Sequence, residues 1–142
     1  MTVKVLIVDD EDEFLVAMAE RMRARDMEVH TTTSAAEALE LIEKESFDAV
    51  ILDYQMPEMD GLEAMKHFKD KRPELQVILL TGHATVERGI EAMKLGAMDV
   101  VEKPADMKKL SEKIKKARIK KMILVEKKTE EKIRDILINK GW

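Results

Sequence analysis

Cysteine is absent from the 142 residues, which excludes disulfides, zinc-thiolate sites and thiol catalysis. Long hydrophobic runs are missing too: none approaches the roughly 20 residues that span a bilayer. The chain has no basic region followed by a long apolar stretch at its start, so it does not open like a signal peptide. These absences predict a soluble, cytoplasmic protein with no membrane partner. What is present is 45% hydrophobic residues, enough for one ordinary core and too few for two full domains in a chain of this length. The expectation is one domain with an appendage.

The net charge of −4 conceals an asymmetry. Residues 1–105 hold 12 Lys and Arg against 23 Asp and Glu, a balance of −11. Residues 106–142 hold 13 against 6, a balance of +7. An acidic body carries a basic tail.

Short apolar runs rich in β-branched residues, at 3–8, 50–52 and 77–80, have the character of strands buried on both faces. Weaker strand patterns lie at 28–32 and 98–101. Helical spacing links Phe14, Met18 and Met22; Ala38, Leu39 and Ile42; Leu62, Met65 and Phe68; and Val86, Ile90 and Met93. Ser34 with Glu37 forms a capping-box pattern, and Gly96 is placed to close a helix that starts near Ala84. Five alternations of strand and helix predict an α/β fold, a parallel sheet wrapped on both faces. A functional site in that architecture lies beyond the carboxyl ends of the strands.

Asp9-Asp10, Asp53, Thr81 and Lys103-Pro104 all sit where apolar runs stop, so such a sheet gathers them at one edge. Two carboxylates about 4 Å apart repel by about 4 kcal/mol at an effective dielectric of about 20, so the three acids need positive charge nearby. Oxygen-only donors open to water suit Mg²⁺ better than zinc, and Lys103 adds a fixed cation. Such a site can take a phosphoryl group, with one carboxylate as nucleophile forming an aspartyl phosphate. The acidic pair is not the start of a haloacid-dehalogenase D-x-D-x-T signature, because positions 11 and 13 are both glutamate.

Val5-Leu-Ile-Val-Asp-Asp10, Asp53-Tyr-Gln-Met-Pro-Glu-Met-Asp-Gly61, Thr81-Gly82, and Gly96-Ala97 leading to Lys103-Pro104 resemble the receiver domains of two-component response regulators. The likeness runs from about Val3 to about Ala117. It implies a flavodoxin-like doubly wound sheet of five parallel strands in order 2-1-3-4-5. It also implies Asp53 as phosphoacceptor and Mg²⁺ held by Asp10, Asp53 and the backbone carbonyl of Gln55, with Asp9 acting through water. Lys103 would hold phosphoryl oxygens, Thr81 would move toward them, and the peptide before Pro104 would be cis. The domain would catalyse only its own phosphorylation and dephosphorylation. The phosphate would come from a sensor histidine kinase or a histidine phosphotransfer protein, and the domain would signal by protein contact or by relay.

One position departs from that family's pattern. Receivers usually carry Tyr or Phe three residues before the lysine, and here it is Val100, which has no ring to swing inward. Signalling carried by the backbone after Thr81 is the favoured expectation over a weakened switch. The resemblance implies that Gln55 and His83, two residues after Asp53 and Thr81, border the site and set the lifetime of the phosphorylated state; a solvated loop at both positions is the alternative reading. Met56-Pro57 and Asp60-Gly61 read as structural, the first shaping a loop and the second a turn into a helix. His30 and His67 lack acidic or histidine partners at ligand spacing and are expected on the surface. Met18, Met22, Met65 and Met93 are expected in the core.

Beyond Asp106, Leu110, Ile114 and Ala117 continue a one-sided helix, residues 122–125 are apolar all round, and 126–132 are polar. Thr129 suits the cap of a last short helix, with Glu130 and Glu131 in its first turn and an end at Lys140-Gly141. One long helix and two short ones both fit. The division expected is a receiver domain over 1–120 and a helical extension over 121–142. The lysines and Arg118 between Lys113 and Lys121 read as a solvated face. With no aromatic residue except Trp142, and too short for a helix-turn-helix domain, the tail is not expected to bind DNA directly. Its apolar residues favour a homodimer or a partner-protein contact. A phosphate-independent binding module and the receiver part of a longer transcriptional regulator are the alternatives.

Overall fold

The computed structural model describes residues 2–139. Five strands alternate with five helices: β1 (Lys4–Val8), α1 (Asp12–Arg23), β2 (Glu28–Thr32), α2 (Ala35–Lys44), β3 (Ala49–Asp53), α3 (Gly61–Lys71), β4 (Val77–Thr81), α4 (Val86–Lys94), β5 (Asp99–Glu102) and α5 (Met107–Asn139). All neighbouring strands are parallel and their order is β2-β1-β3-β4-β5. The expected doubly wound sheet is therefore what forms.

The central strands are apolar at every buried position except their carboxyl ends, where Asp53 and Thr81 stand. Along β1, Val5 and Ile7 face α1 and α5, while Leu6 and Val8 face α2, α3 and α4. Strands β3 and β4 divide in the same way: Ala49, Ile51, Ile78 and Leu80 join the first layer, and Val50, Leu52, Val77 and Leu79 the second. Period-2 alternation that is apolar on both sides leaves a strand stable only between two helical layers.

Helix ends follow local chemistry. Asp60 caps α3 by accepting from Leu62 N at 2.8 Å, and Thr85 caps α4 by accepting from Arg88 N at 3.1 Å. Ser34 accepts from Glu37 N at 3.2 Å, but its own N–H donates to Thr32 Oγ1, so only one arm of the expected capping box is made. Gly96 takes φ +101° after α4, a left-handed conformation that glycine adopts without steric cost.

Several expectations need correction. Helix α4 begins at Val86 rather than near Ala84, and β5 lies one residue later than its apolar pattern. The apolar stripe of α4 is in solvent: Val86 is 80%, Ile90 51% and Met93 53% exposed, so Met93 is not core. Helix α4 seats itself on the buried Ala92 and the half-buried Leu95 instead. Met18, Met22 and Met65 are buried as expected. His67 is exposed, but His30 is half-buried, with Nε2 3.0 Å from Glu28 Oε2 and its ring edge-on to Phe47. Residues two apart on a strand share a face, which brings Glu28 and His30 together.

The tail is one unbroken helix. Thr129 does not cap a new one: its hydroxyl donates to the carbonyl of Val125 at 3.0 Å, the backbonding seen in helix interiors. The expected stop at Lys140-Gly141 lies outside the described residues. Leu110, Ser111, Ile114 and Ala117 of α5 are buried and Met107 is half-buried, and beyond Ala117 the helix continues past the body with its apolar side chains exposed. Lys121 donates to Ser46 Oγ and lies 4.0 Å from Asp48, the last ion pair to the sheet among the described residues. No described helix is long and apolar enough to cross a membrane.

Candidate functional site

Parallel register brings the predicted residues to one edge. Val8 pairs with Leu52, Asp53 with Leu80 and Thr81 with Glu102, so Asp9, Asp53, Thr81 and Lys103 emerge side by side. Backbone bonds extend the ladder by a residue at three places: Asp9 N to Thr32 O (3.2 Å), Tyr54 N to Leu80 O (2.7 Å) and Lys103 N to Thr81 O (2.8 Å). The Lys103-Pro104 peptide is cis, as the resemblance implied.

Carboxylate oxygens of Asp9, Asp10 and Asp53 all lie within 4.8 Å of one another. Asp9 and Asp53 are buried and Asp10 is exposed at the rim. The ammonium of Lys103 sits 2.8 Å from Asp9 Oδ2 and 3.7 Å from Asp53 Oδ1. It also lies over the Phe14 ring, 4.3 Å from its centroid, so an aromatic face of α1 supports the cation from below.

The three acids are not equivalent. Both oxygens of Asp9 are engaged, Oδ1 by Glu11 N at 2.9 Å and Oδ2 by Lys103. Asp53 has one long bond, from Gln55 N to Oδ1 at 3.4 Å. Burial and then the charge of Asp9 push the Asp53 carboxyl up to about 6, against the opposing pull of Lys103 and the Gln55 amide. Burial works against the Lys103 ammonium, but the bond and charge of Asp9 outweigh it and hold the amine above its ordinary range. A shared deficit of positive charge thus remains at Asp53. Clustered hard oxygen donors of this kind suit a hard divalent cation.

Thr81 is buried at the same edge, yet its hydroxyl is turned to the loop that follows it. It donates to His83 O (3.2 Å) and accepts from His83 N (3.1 Å) and from Arg88 Nη1 (3.3 Å). His83 and Gln55 are exposed beside the site, and Gln55 forms an isolated antiparallel bridge with Asp60 that closes the loop after β3. Met56, Pro57, Glu58 and Met59 of that loop line an open cleft with Asp10, Thr33 and Ala35. Val100 is half-buried in the layer under α4 and offers no polar atom to the site.

Sequence reasoning missed Phe14, Tyr54 and Arg88. Tyr54 is buried directly after Asp53, and the Arg88 guanidinium stacks on its ring at 5.1 Å. Their residue types were readable, but their meeting depends on where α1 and α4 are placed on the sheet.

Comparison with known proteins agrees with this arrangement. The response regulator receiver domain pattern matches residues 5–115. The Escherichia coli regulatory protein AtoC is 37% identical over 108 residues, covering 76% of this chain and 23% of AtoC. The chain therefore spans about a quarter of the length of such curated relatives. A receiver domain from Clostridium thermocellum superposes with a TM-score of 0.81 at 34% identity, over 86% of this chain and 98% of that one. The beryllofluoride-activated NtrC4 receiver domain, solved in solution as a dimer, gives 0.78 at 30% identity over 83% and 98%. Sequence pattern, strand order and the acid-lysine edge agree, and the chain belongs to the response regulator receiver domain family.

Proposed function

We propose that Asp53 accepts a phosphoryl group from a phosphohistidine on a sensor histidine kinase or histidine phosphotransfer protein. The carrying observation is the raised Asp53 carboxyl beside a lysine, at an edge where both Asp9 oxygens already accept hydrogen bonds while Asp53 accepts only one long one. Asp10 is the remaining acid, and its exposed rim position suits a ligand better than a nucleophile. An Asp53 oxygen attacks phosphorus, the O–P bond forms as the N–P bond breaks, and the donor imidazole leaves with the electron pair. Lys103 is placed to follow the phosphoryl oxygens, since it already spans Asp9 and Asp53. Asp10, Asp53 and the backbone carbonyl of Gln55 would hold Mg²⁺, with Asp9 acting through water. When bound, that ion neutralises charge on the transferring oxygens. Thr81 donates its hydroxyl to one of those oxygens after leaving His83.

Intact-protein mass after incubation with a small phosphodonor and Mg²⁺ tests the assignment. One phosphoryl group on the wild type and none on Asp53→Asn is the expected result. A folded wild type that gains nothing would favour a phosphate-independent binding module.

The tail supports a second reading, a contact surface for another copy of the chain. Ile119, Met122, Ile123, Ile133, Ile136 and Leu137 are exposed along α5, recurring at helical spacing. In sedimentation the full chain is expected to run as a dimer and a chain truncated after Ala117 as a monomer, because truncation spares the buried residues of α5. A dimeric truncated chain would sink the idea. As the receiver portion of a longer regulator, the same helix would serve as the connection to the output domain.

A further inference from the structure

Valine at position 100 leaves open how the site informs the rest of the molecule. A hydroxyl has one hydrogen to donate and two lone pairs. All three are occupied at Thr81, by His83 O, His83 N and Arg88 Nη1. Its single hydrogen is already committed, so it can reach a phosphoryl oxygen only by releasing the His83 carbonyl.

Arg88 is joined to both ends of that exchange. Its Nη1 is shared between Thr81 Oγ1 at 3.3 Å and His83 O at 3.1 Å. Its guanidinium lies on Tyr54, whose backbone continues directly from Asp53. Its own amide is bonded to the α4 cap Thr85, so the side chain is rooted in the first turn of that helix. A guanidinium that stacks and donates at once is held more firmly than a lysine would be. Helix α4 is otherwise lightly seated, with Ala92 its one buried residue, and it displays Val86, Ile90 and Met93 to solvent.

We infer that Arg88 is a positioning residue that holds Thr81 away from the site and carries its movement to α4, the task for which Val100 has no ring. The inference rests on the reading above, in which Thr81 grips a phosphoryl oxygen. When Thr81 turns inward, Arg88 loses one of its two acceptors, and the tie between the β4–α4 loop and the first turn of α4 loosens. The exposed apolar stripe of α4 then shifts with it.

Arg88→Ala and Arg88→Lys, each alone and combined with Thr81→Ala, provide the test. In the unphosphorylated protein, Arg88→Ala should move the Thr81 methyl resonance. It should also raise the phosphorylation rate with a small phosphodonor by about fivefold, the scale of one ordinary hydrogen bond, since the Arg88–Thr81 bond is long and half-exposed. That gain should vanish on the Thr81→Ala background. Phosphorylation-induced shifts of the α4 amides should fall below half those of the wild type, with Arg88→Lys intermediate. A merely structural role would lower thermal stability without this dependence on Thr81. A phosphorylated wild type whose rate and α4 shifts are matched by Arg88→Ala overturns the inference alone. A wild type that takes no phosphoryl group overturns the receiver reading and the inference with it.

Discussion

Replacing Lys103 by alanine is expected to slow phosphorylation of Asp53 about a hundredfold, the scale for losing one preorganised charged donor at a developing negative charge. Two effects act in the same direction. The phosphoryl oxygens lose the ammonium that lies 2.8 Å from Asp9 and 3.7 Å from Asp53. The nucleophile also becomes scarcer: in the metal-free site burial and Asp9 push the Asp53 carboxyl up to about 6 while Lys103 lowers it, so removal of that charge sends it higher. A nucleophilic carboxylate must be ionised, and the ionised fraction falls as pH drops through the pKa. The rate-against-pH profile of the variant should therefore be displaced to higher pH, as well as lowered throughout. Lys103→Arg should recover part of the rate, since charge is kept while the flat guanidinium fits the Phe14 face and the two carboxylates differently. Phosphorylation timed by intact mass at several pH values measures both effects. A variant with the wild-type rate and profile would remove Lys103 from the mechanism.

Gly61→Ala should be the most damaging single-methyl change at the site, costing about 3 kcal/mol of stability, the upper end for overpacking a filled interior. A Cβ there would sit 2.4 Å from the carbonyl oxygen of Asp53, 2.8 Å from that of Tyr54 and 2.9 Å from the Tyr54 Cα. All three are backbone atoms that cannot rotate away. Gly61 N also donates to Tyr54 O at 2.9 Å, a bond that the displaced helix would stretch. The end of β3 would have to yield, taking the acceptor carboxylate with it, so phosphorylation should slow alongside. Gly82→Ala is the matched control, because nothing lies within 4 Å of its added methyl. Urea unfolding compares the two. Equal midpoints would show that the close approach is absorbed elsewhere.

The strands were legible because a parallel sheet covered on both sides demands unbroken apolar runs, and few other structures do. Once the strands were placed, so was the site, since Asp9, Asp53, Thr81 and Lys103 all follow directly from where those runs end. Helix faces were less legible. Val86, Ile90 and Met93 form the stronger apolar stripe of α4, yet small Ala92 lets the helix sit close to the sheet and the stripe faces out. The polar stretch at 126–132 looked like a break, but an exposed helix tolerates polar residues on every side. Asp60-Gly61 was recognisable as a turn into a helix. Its stricter demand, that α3 start against the backbone of Asp53, depends on a distance that no residue pattern encodes.

Helix α5 has a mechanical consequence. Its buried turns end at Ala117, and no glycine or proline interrupts it from there to Asn139. Lys121 is still tied to Ser46 and Asp48, so the arm beyond it, at about 1.5 Å per residue, is roughly 27 Å long. A tilt of about 5° at its base, too small to disturb the packing of Leu110 and Ile114 noticeably, would sweep the far end through about 2 Å. An arm of this length would enlarge small adjustments at its base into larger displacements at its far end.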